Sequence, residues 1–280
     1  MQIRSTRLGI HPSAWALGLI DTCAEQLFPE EGALAEWHES YVADHKARVA
    51  HDLDIIRVKI PITNNILEFG SIPLLLTAAL TMCGYKVTGC DIKPERYSST
   101  IRSAGLNVIK CNIETERLPF TDDSFDAAVF NELFEHLRIN PIFTLSEVLR
   151  VLKPNGTLTL SSPNLKSLGG IKNFLLRDKA YSCSGNMYAE YRKIEDIGHM
   201  GHVREYTPTE IIEFLQAIGF EVTEVIFRGQ YWGRLARTMI SLIPRLSPFV
   251  SYIATKPGKV NDAVLPTASG YGASIPSAPI

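Results

Sequence analysis

Between Asn65 and Leu160 the chain alternates short β-branched runs with helix-like stretches, and this constrains its fold more than any other feature. Ile66-Leu67-Glu68-Phe69, Val87-Thr88-Gly89-Cys90, Asn107 to Cys111, Asp126 to Phe130 and Gly156 to Leu160 read as strands. Leu74 to Met82 reads as a helix, as does Pro141 to Leu152, where Leu145, Val148, Leu149 and Leu152 share one face. Lys153-Pro154-Asn155-Gly156 is expected to stop that helix and turn into the next strand. Repeated strand–helix–strand units cannot close as hairpins, so they predict an α/β fold: a parallel sheet with helices on both faces.

The flanks read differently. Residues 1–60 form a mostly helical cover segment, with helix spacing strongest from Pro29 to Arg57 before Pro61-Ile62-Thr63-Asn64 breaks it. Residues 61–255 form the α/β domain. Within it, 163–206 is a long excursion without strand periodicity, placed where such sheets carry substrate lids. Thr209 to Ile218 resumes as helix, with strands at Phe220 to Phe227 and Phe249 to Ala254. Residues 256–280, rich in Pro, Gly, Ser and Ala, read as a disordered tail.

Of the 280 residues, 45% are hydrophobic and 21% charged, enough apolar material for a sizeable core and too much for wholesale disorder. A net charge of −2 argues against a chain whose main task is coating nucleic acid or an anionic membrane, though a local basic groove stays open. The five scattered cysteines include no C-x-x-C pair, which fits a reducing compartment. No apolar run approaches the roughly 20 residues of a membrane span, and the expectation is a soluble cytoplasmic protein of undetermined oligomeric state.

Ligands bind at strand ends in such sheets, so Glu68-Phe69-Gly70-Ser71-Ile72-Pro73 matters most. Gly70 permits close backbone approach, and Pro73 suits the first position of a helix whose free N–H groups attract an anion. Asp91, closing the second strand, can accept both hydroxyl protons of an adenosine ribose. Only Gly70 of a G-x-G-x-x-G pattern is present, which disfavours a pyrophosphate reader.

ILEFG, VTGCDIKPE, LPFTDDSFDAAVFNELFEHL and EVLRVLKPNGTLTLSSPN follow in that order, and GHVREYTPTEIIEFLQAIGFEV comes later. Over about residues 40–228 this series resembles the class I S-adenosylmethionine-dependent methyltransferases, in particular the small-molecule enzymes of the type-11-like group. The resemblance implies a Rossmann-like, mainly parallel sheet of seven strands, the last two an antiparallel hairpin, and S-adenosylmethionine as cofactor. It places Glu68, Gly70 and Ser71 at the methionine end and Asp91 on the ribose. Ile92, Asn112 and Ile113 fall against the adenine, and Asn131 beside the sulfonium. Ile72 and Leu74 stand where the group has further glycines, and Asn112 where Asp is commoner, which implies a reshaped loop.

Asn131-Glu132-Leu133-Phe134-Glu135-His136 supplies candidates for proton removal. On a helix, Glu132, Glu135 and His136 would share one face and could hold a divalent cation. The spacing resembles the metal site of ubiquinone-pathway O-methyltransferases and small-RNA 3′-end methyltransferases. That implies Mg²⁺ on Glu132, Glu135, His136 and His202. Without metal, His136 and Glu132 are the catalytic pair, and they favour O-methylation. His199, His202 and Tyr206 are candidate acceptor-pocket residues, and Tyr41, His45 and Arg48 resemble a segment that closes over the cofactor. The resulting expectation is a methyltransferase acting on a small-molecule acceptor, without a stable nucleic-acid partner. A methyltransferase-like binding module and an RNA 2′-O-methyltransferase are the competing readings, the latter disfavoured by the near-neutral charge.

Overall fold

A computed structural model describes residues 3–7, 11–30, 34–197, 201–229, 231 and 233–258. In chain order its strands are β1 (Arg4–Arg7), β2 (Asn65–Phe69), β3 (Lys86–Asp91), β4 (Val108–Lys110), β5 (Phe125–Asn131), β6 (Leu152–Pro163), β7 (Glu221–Arg228) and β8 (Phe249–Thr255). Its helices are α1 (Ala14–Ala24), α2 (Leu34–Lys59), α3 (Leu75–Met82), α4 (Ser98–Ser103), α5 (Pro141–Val151), α6 (Leu168–Arg177), α7 (Met187–Ile197), α8 (Pro208–Ile218) and α9 (Arg234–Leu242).

All eight strands form one sheet in the order β1-β7-β8-β6-β5-β2-β3-β4. Only β8 runs antiparallel to its neighbours. From β2 the chain winds outward through β3 and β4, then returns to β5 on the other side of β2. That reversal opens a crevice at the carboxyl ends of β2 and β5.

The alternation of strand side chains builds two layers. Ile66, Ala127 and Val129 face a core with Ile20, Leu53, Ile56 and Leu80 of α1, α2 and α3. Leu67, Phe69, Ala128 and Phe130 face the opposite core, with Leu145 and Leu149 of α5 and Leu215 of α8. Both faces of β2 and β5 are therefore covered, which is why these strands are apolar at most positions.

Four expectations change. Among the described residues the sheet has eight strands rather than seven, because Arg4–Arg7 adds an edge strand parallel to β7. Its residues carry no apolar alternation. It is held by backbone pairing and by the Thr6 hydroxyl donating to Glu224 at 2.7 Å. The long N-terminal helix begins at Leu34, not Pro29. β6 starts directly after α5, so Lys153 to Gly156 is already strand, with Asn155 in the left-handed region. Lys256 belongs to the fold, not to a tail: its ammonium donates to the Leu152 carbonyl at 2.7 Å and pairs with Asp123 at 2.7 Å. The rest of the expected tail, from 259, lies outside the described residues.

Gly89 shows how the sheet shapes the crevice. A Cβ there would stand 2.9 Å from Ser71 Oγ and 3.2 Å from Val108 Cγ2. Its absence lets the loop after β2 lie against β3. Gly89→Ala should cost about 1–3 kcal/mol by overpacking, read by urea denaturation. An unchanged midpoint would mean the loop gives way freely.

Candidate active site

Two hollows meet at Gly70, on the carboxyl edge of the sheet. The first is bounded by Asp91 and Ile92 after β3, Asn112 and Ile113 after β4, and His136 beyond β5. Glu68, Ser71, Asn131 and Glu132 border the second, roofed by Tyr41 and Arg48 of α2. The eight residues expected at the cofactor thus converge on one crevice, although they come from the ends of four separate strands.

The loop after β2 takes two left-handed residues, Gly70 and Leu74. Gly70 takes φ 66°, and a Cβ there would meet Leu133 Cδ1 at 3.2 Å, so Leu133 packs over Gly70 on the side of the first hollow. Ile72 escapes the left-handed region and the strain moves to Leu74, at φ 73°. A non-glycine residue there costs on the order of 1–2 kcal/mol, offset by complete burial of the Leu74 side chain. Pro73 does not open α3, which starts two residues later at Leu75.

The same loop orients Asp91. Its Oδ2 accepts the Ile72 N–H at 3.1 Å and its Oδ1 the Lys93 N–H at 2.9 Å. Burial raises the carboxyl's pKa, and these two donors oppose the rise. Each oxygen retains acceptor capacity toward the crevice. Asn112 Oδ1 accepts the Glu114 N–H at 3.2 Å and so shapes the turn beside the first hollow. Glu68 is buried, and its Oε2 accepts the Thr77 hydroxyl at 2.5 Å. Burial, reinforced by the charges of Asp91 and Asp52, pushes its carboxyl up to about 8.

Glu132, Glu135 and His136 do not share a helix face. Glu132 has φ 50°, and only Phe134–His136 form a single 3₁₀ turn. Glu132 turns toward the sheet and is clamped there. Arg48 Nη1 donates to its Oε2 at 3.0 Å, while Arg228 Nη2 at 3.1 Å and the Ser161 hydroxyl at 2.8 Å donate to its Oε1. Arg228, 1% exposed, also lies 2.9 Å from Asp52, an ion pair of poor hydrogen-bond geometry. Two guanidinium groups and two carboxylates therefore close a buried network joining α2, β5 and β7.

Glu135 points the other way. Both its oxygens are buried without a hydrogen-bond partner, and burial together with the Glu132 charge pushes the carboxyl up to about 8. Ligating atoms of Glu135, His136 and His202 lie within 4.8 Å of one another, in a group that omits Glu132. The two imidazole rings meet edge to face at 4.8 Å. His136 Nδ1 is 3.0 Å from the Gly201 carbonyl, and His202 Nδ1 is 3.3 Å from Glu205 Oε1. Burial disfavours charge on His202, but the hydrogen bond it donates to Glu205 and the Glu135 charge raise its pKa.

Tyr206 borders neither hollow. It packs against Phe134 at 4.9 Å, with Arg204 stacked over its ring. His199 lies outside the described residues. His45 is edge-on to Tyr41 at 4.5 Å, and burial drives its pKa down to about 3. Asp52, Ser161 and Arg228 carry no signal in the sequence, since each sits in an ordinary helix or strand and acquires a role only through pairing across the fold.

Residues 67–160 match the profile of a methyltransferase domain family. The chain has the class I methyltransferase fold. Solved structures share its fold. A methyltransferase from Thermotoga maritima is 19% identical, with TM-score 0.54, covering 79% of this chain and 95% of its own. The 1,6-didemethyltoxoflavin-N1-methyltransferase of Burkholderia thailandensis, solved with its substrate and S-adenosylhomocysteine, is 16% identical with TM-score 0.52, covering 88% and 90%. A third, from Archaeoglobus fulgidus, is 17% identical with TM-score 0.50, covering 78% and 99%. No curated protein matches. Among the described residues no helix is long and apolar enough to cross a membrane.

Two outcomes test the charges around the methyltransferase crevice. Arg228→Met leaves Asp52 and Glu132 facing each other with one guanidinium fewer, and should cost about 3–5 kcal/mol in urea denaturation. A loss below about 1 kcal/mol would show that Arg48 suffices. Glu68 carries a folded pKa raised above its unfolded value of about 4.3, so its contribution to stability falls as pH rises from there to about 8. Glu68→Gln should therefore flatten the decline of the thermal midpoint between pH 5.5 and 8.5. Parallel decline in variant and parent would refute that assignment.

Proposed function

We propose that the protein transfers a methyl group from S-adenosylmethionine to a small-molecule acceptor. The observation that carries this reading is the convergence of Gly70, Asp91, Asn112 and Asn131 on one crevice at the reversal of strand order. The cofactor, when bound, supplies a methyl group on a sulfonium, open to in-line displacement. Everything else falls to the chain's own residues. Asp91, held by two backbone N–H groups, accepts the ribose hydroxyls, and Ile92 and Ile113 give apolar walls for the base. Glu68, Gly70 and Ser71 border the methionine end, and Asn131 the reacting end. Alignment of nucleophile and methyl group is worth up to about 7–11 kcal/mol, which makes holding the acceptor the main task.

Residues 1–60 act as the cover, through Tyr41 and Arg48 over the second hollow, and 163–206 as the acceptor lid. His136 borders the first hollow and is the group that would accept a proton from a hydroxyl acceptor, in keeping with O-methylation. Glu132, with both oxygens occupied, positions rather than reacts. A divalent cation also fits Glu135, His136 and His202. The bare oxygens of Glu135 and the carbonyl and carboxylate behind the two imidazoles form the usual support of a metal ligand set. Two imidazoles with one carboxylate suit a transition ion better than Mg²⁺. Such an ion would act as a Lewis acid toward an acceptor oxygen. A methyltransferase-like binding module is the second reading, favoured by Leu133 seated over Gly70.

Calorimetric titration with S-adenosylmethionine and S-adenosylhomocysteine, with and without Zn²⁺ or Mg²⁺, separates these readings. Micromolar binding by the parent, weakened about 10–100-fold in Asp91→Asn at an unchanged thermal midpoint, is expected from losing charged hydrogen bonds to the ribose. Parent-like affinity in Asp91→Asn would remove it from the ribose. No binding by folded parent protein would favour the binding module.

A further inference from the structure

Helices α6 and α9 rise from the same edge of the sheet as the crevice, α6 after the end of β6 and α9 after the end of β7. Their bases are tied together. The Gly169 N–H donates to the Tyr231 hydroxyl at 3.0 Å, and Asn164 Nδ2 donates to the Arg245 and Ser247 carbonyls at 3.0 and 2.8 Å. Both helices leave large apolar side chains in solvent. Leu235 and Leu242, seven residues apart on one face of α9, are each 77% exposed, while Ile240 behind them is fully buried. Phe174, Leu175 and Leu176 at the end of α6 are 62–76% exposed.

The charge around these residues is one-sided. From 229 to 255 the chain has three exposed arginines, Arg234, Arg237 and Arg245, besides the tail-end of the sheet, and no Asp or Glu. From 164 to 182 it has Lys166, Lys172, Arg177 and Lys179 against Asp178 alone. A chain of net charge −2 thus concentrates its cations where its leucines are bare. The balanced total conceals this patch.

We propose that α6 and the α9 segment dock the protein on an anionic membrane surface. Short amphipathic helices with Leu and Phe on one side and Arg or Lys beside them bind the headgroup–acyl boundary in this way. Three consecutive exposed residues, 174 to 176, project in directions spread about 200° round the helix. A partner helix or a second copy of the chain would meet a single stripe, whereas a fluid acyl layer takes up such a tip from all sides. The crevice opens on the same edge, so an acceptor dissolved in that membrane would reach it without leaving the lipid. The proposal rests on the surface alone: vesicle binding and cofactor titration can fail independently.

The full chain should float with phosphatidylcholine vesicles containing about one third phosphatidylglycerol, and not with phosphatidylcholine alone, at low salt. Leu235→Asp with Leu242→Asp should lower the partition coefficient at least about tenfold. Phe174→Ser with Leu175→Ser should act in the same direction. Replacing Arg234, Arg237 and Arg245 by Gln should lower it by up to about fivefold per charge at low salt, and less at high salt. Unchanged circular dichroism would show that the variants fold. Absence of binding to the anionic vesicles, or binding indifferent to both apolar pairs, would overturn the proposal. So would a parent dimer in sedimentation velocity that the leucine variants dissolve without any vesicle binding, since a second copy would then cover the face.

Discussion

The buried network of Arg48, Asp52, Glu132 and Arg228 is the constraint on which the rest of the site depends. Arg228 ends β7, Glu132 follows β5, and Arg48 and Asp52 lie on α2. Burying any one of these charges alone would cost several kcal/mol, so they are tolerable only together. That requirement fixes α2 across the carboxyl ends of the strands. With α2 in place, Tyr41 and Arg48 roof the second hollow, and Glu132 turns inward and sends Glu135 the other way.

The division between Glu132 and Glu135 follows from backbone conformation. Glu132 sits at φ 50°, so the chain reverses before the 3₁₀ turn that carries Glu135 and His136. One carboxylate then meets two arginines, and the other meets two histidines and no hydrogen-bond donor. Two residues of the same type, three apart, come to occupy opposite electrostatic environments. The loop after β2 shows a similar displacement of strain: Ile72 keeps an ordinary backbone and donates to Asp91, while the left-handed turn passes to Leu74.

Much of the sheet was legible because burial on both faces leaves a plain mark. Ile66–Phe69 and Ala127–Phe130 are apolar at nearly every position, and a parallel strand covered by helices must be. β1 left no such mark, since Arg4–Arg7 is held by main-chain bonds to β7, which any residues could make. Lys256 was read with the tail for the same reason: a lysine shows nothing in sequence of the two carbonyls it will find. In the crevice, Gly70 and Asp91 were readable from their places at strand ends, and Asn131 through the family resemblance. Arg228 and Asp52 were not, because Glu132 lies 96 residues from Arg228 along the chain and the partner of Asp52 is on another element.

The sequence by itself determined the layered α/β plan, the order of the strand-end loops and the residue types that reach the crevice. Those depend on local propensity and on periodicity, both written in neighbouring residues. Tertiary structure alone decided which carboxylate is paired and which is bare, that Leu133 stands over Gly70, and that two basic, leucine-bearing helices share an edge with the site. Each of these depends on desolvation and on distance between groups remote in the chain. Neither quantity has a value until the sheet has closed and the helices have covered it.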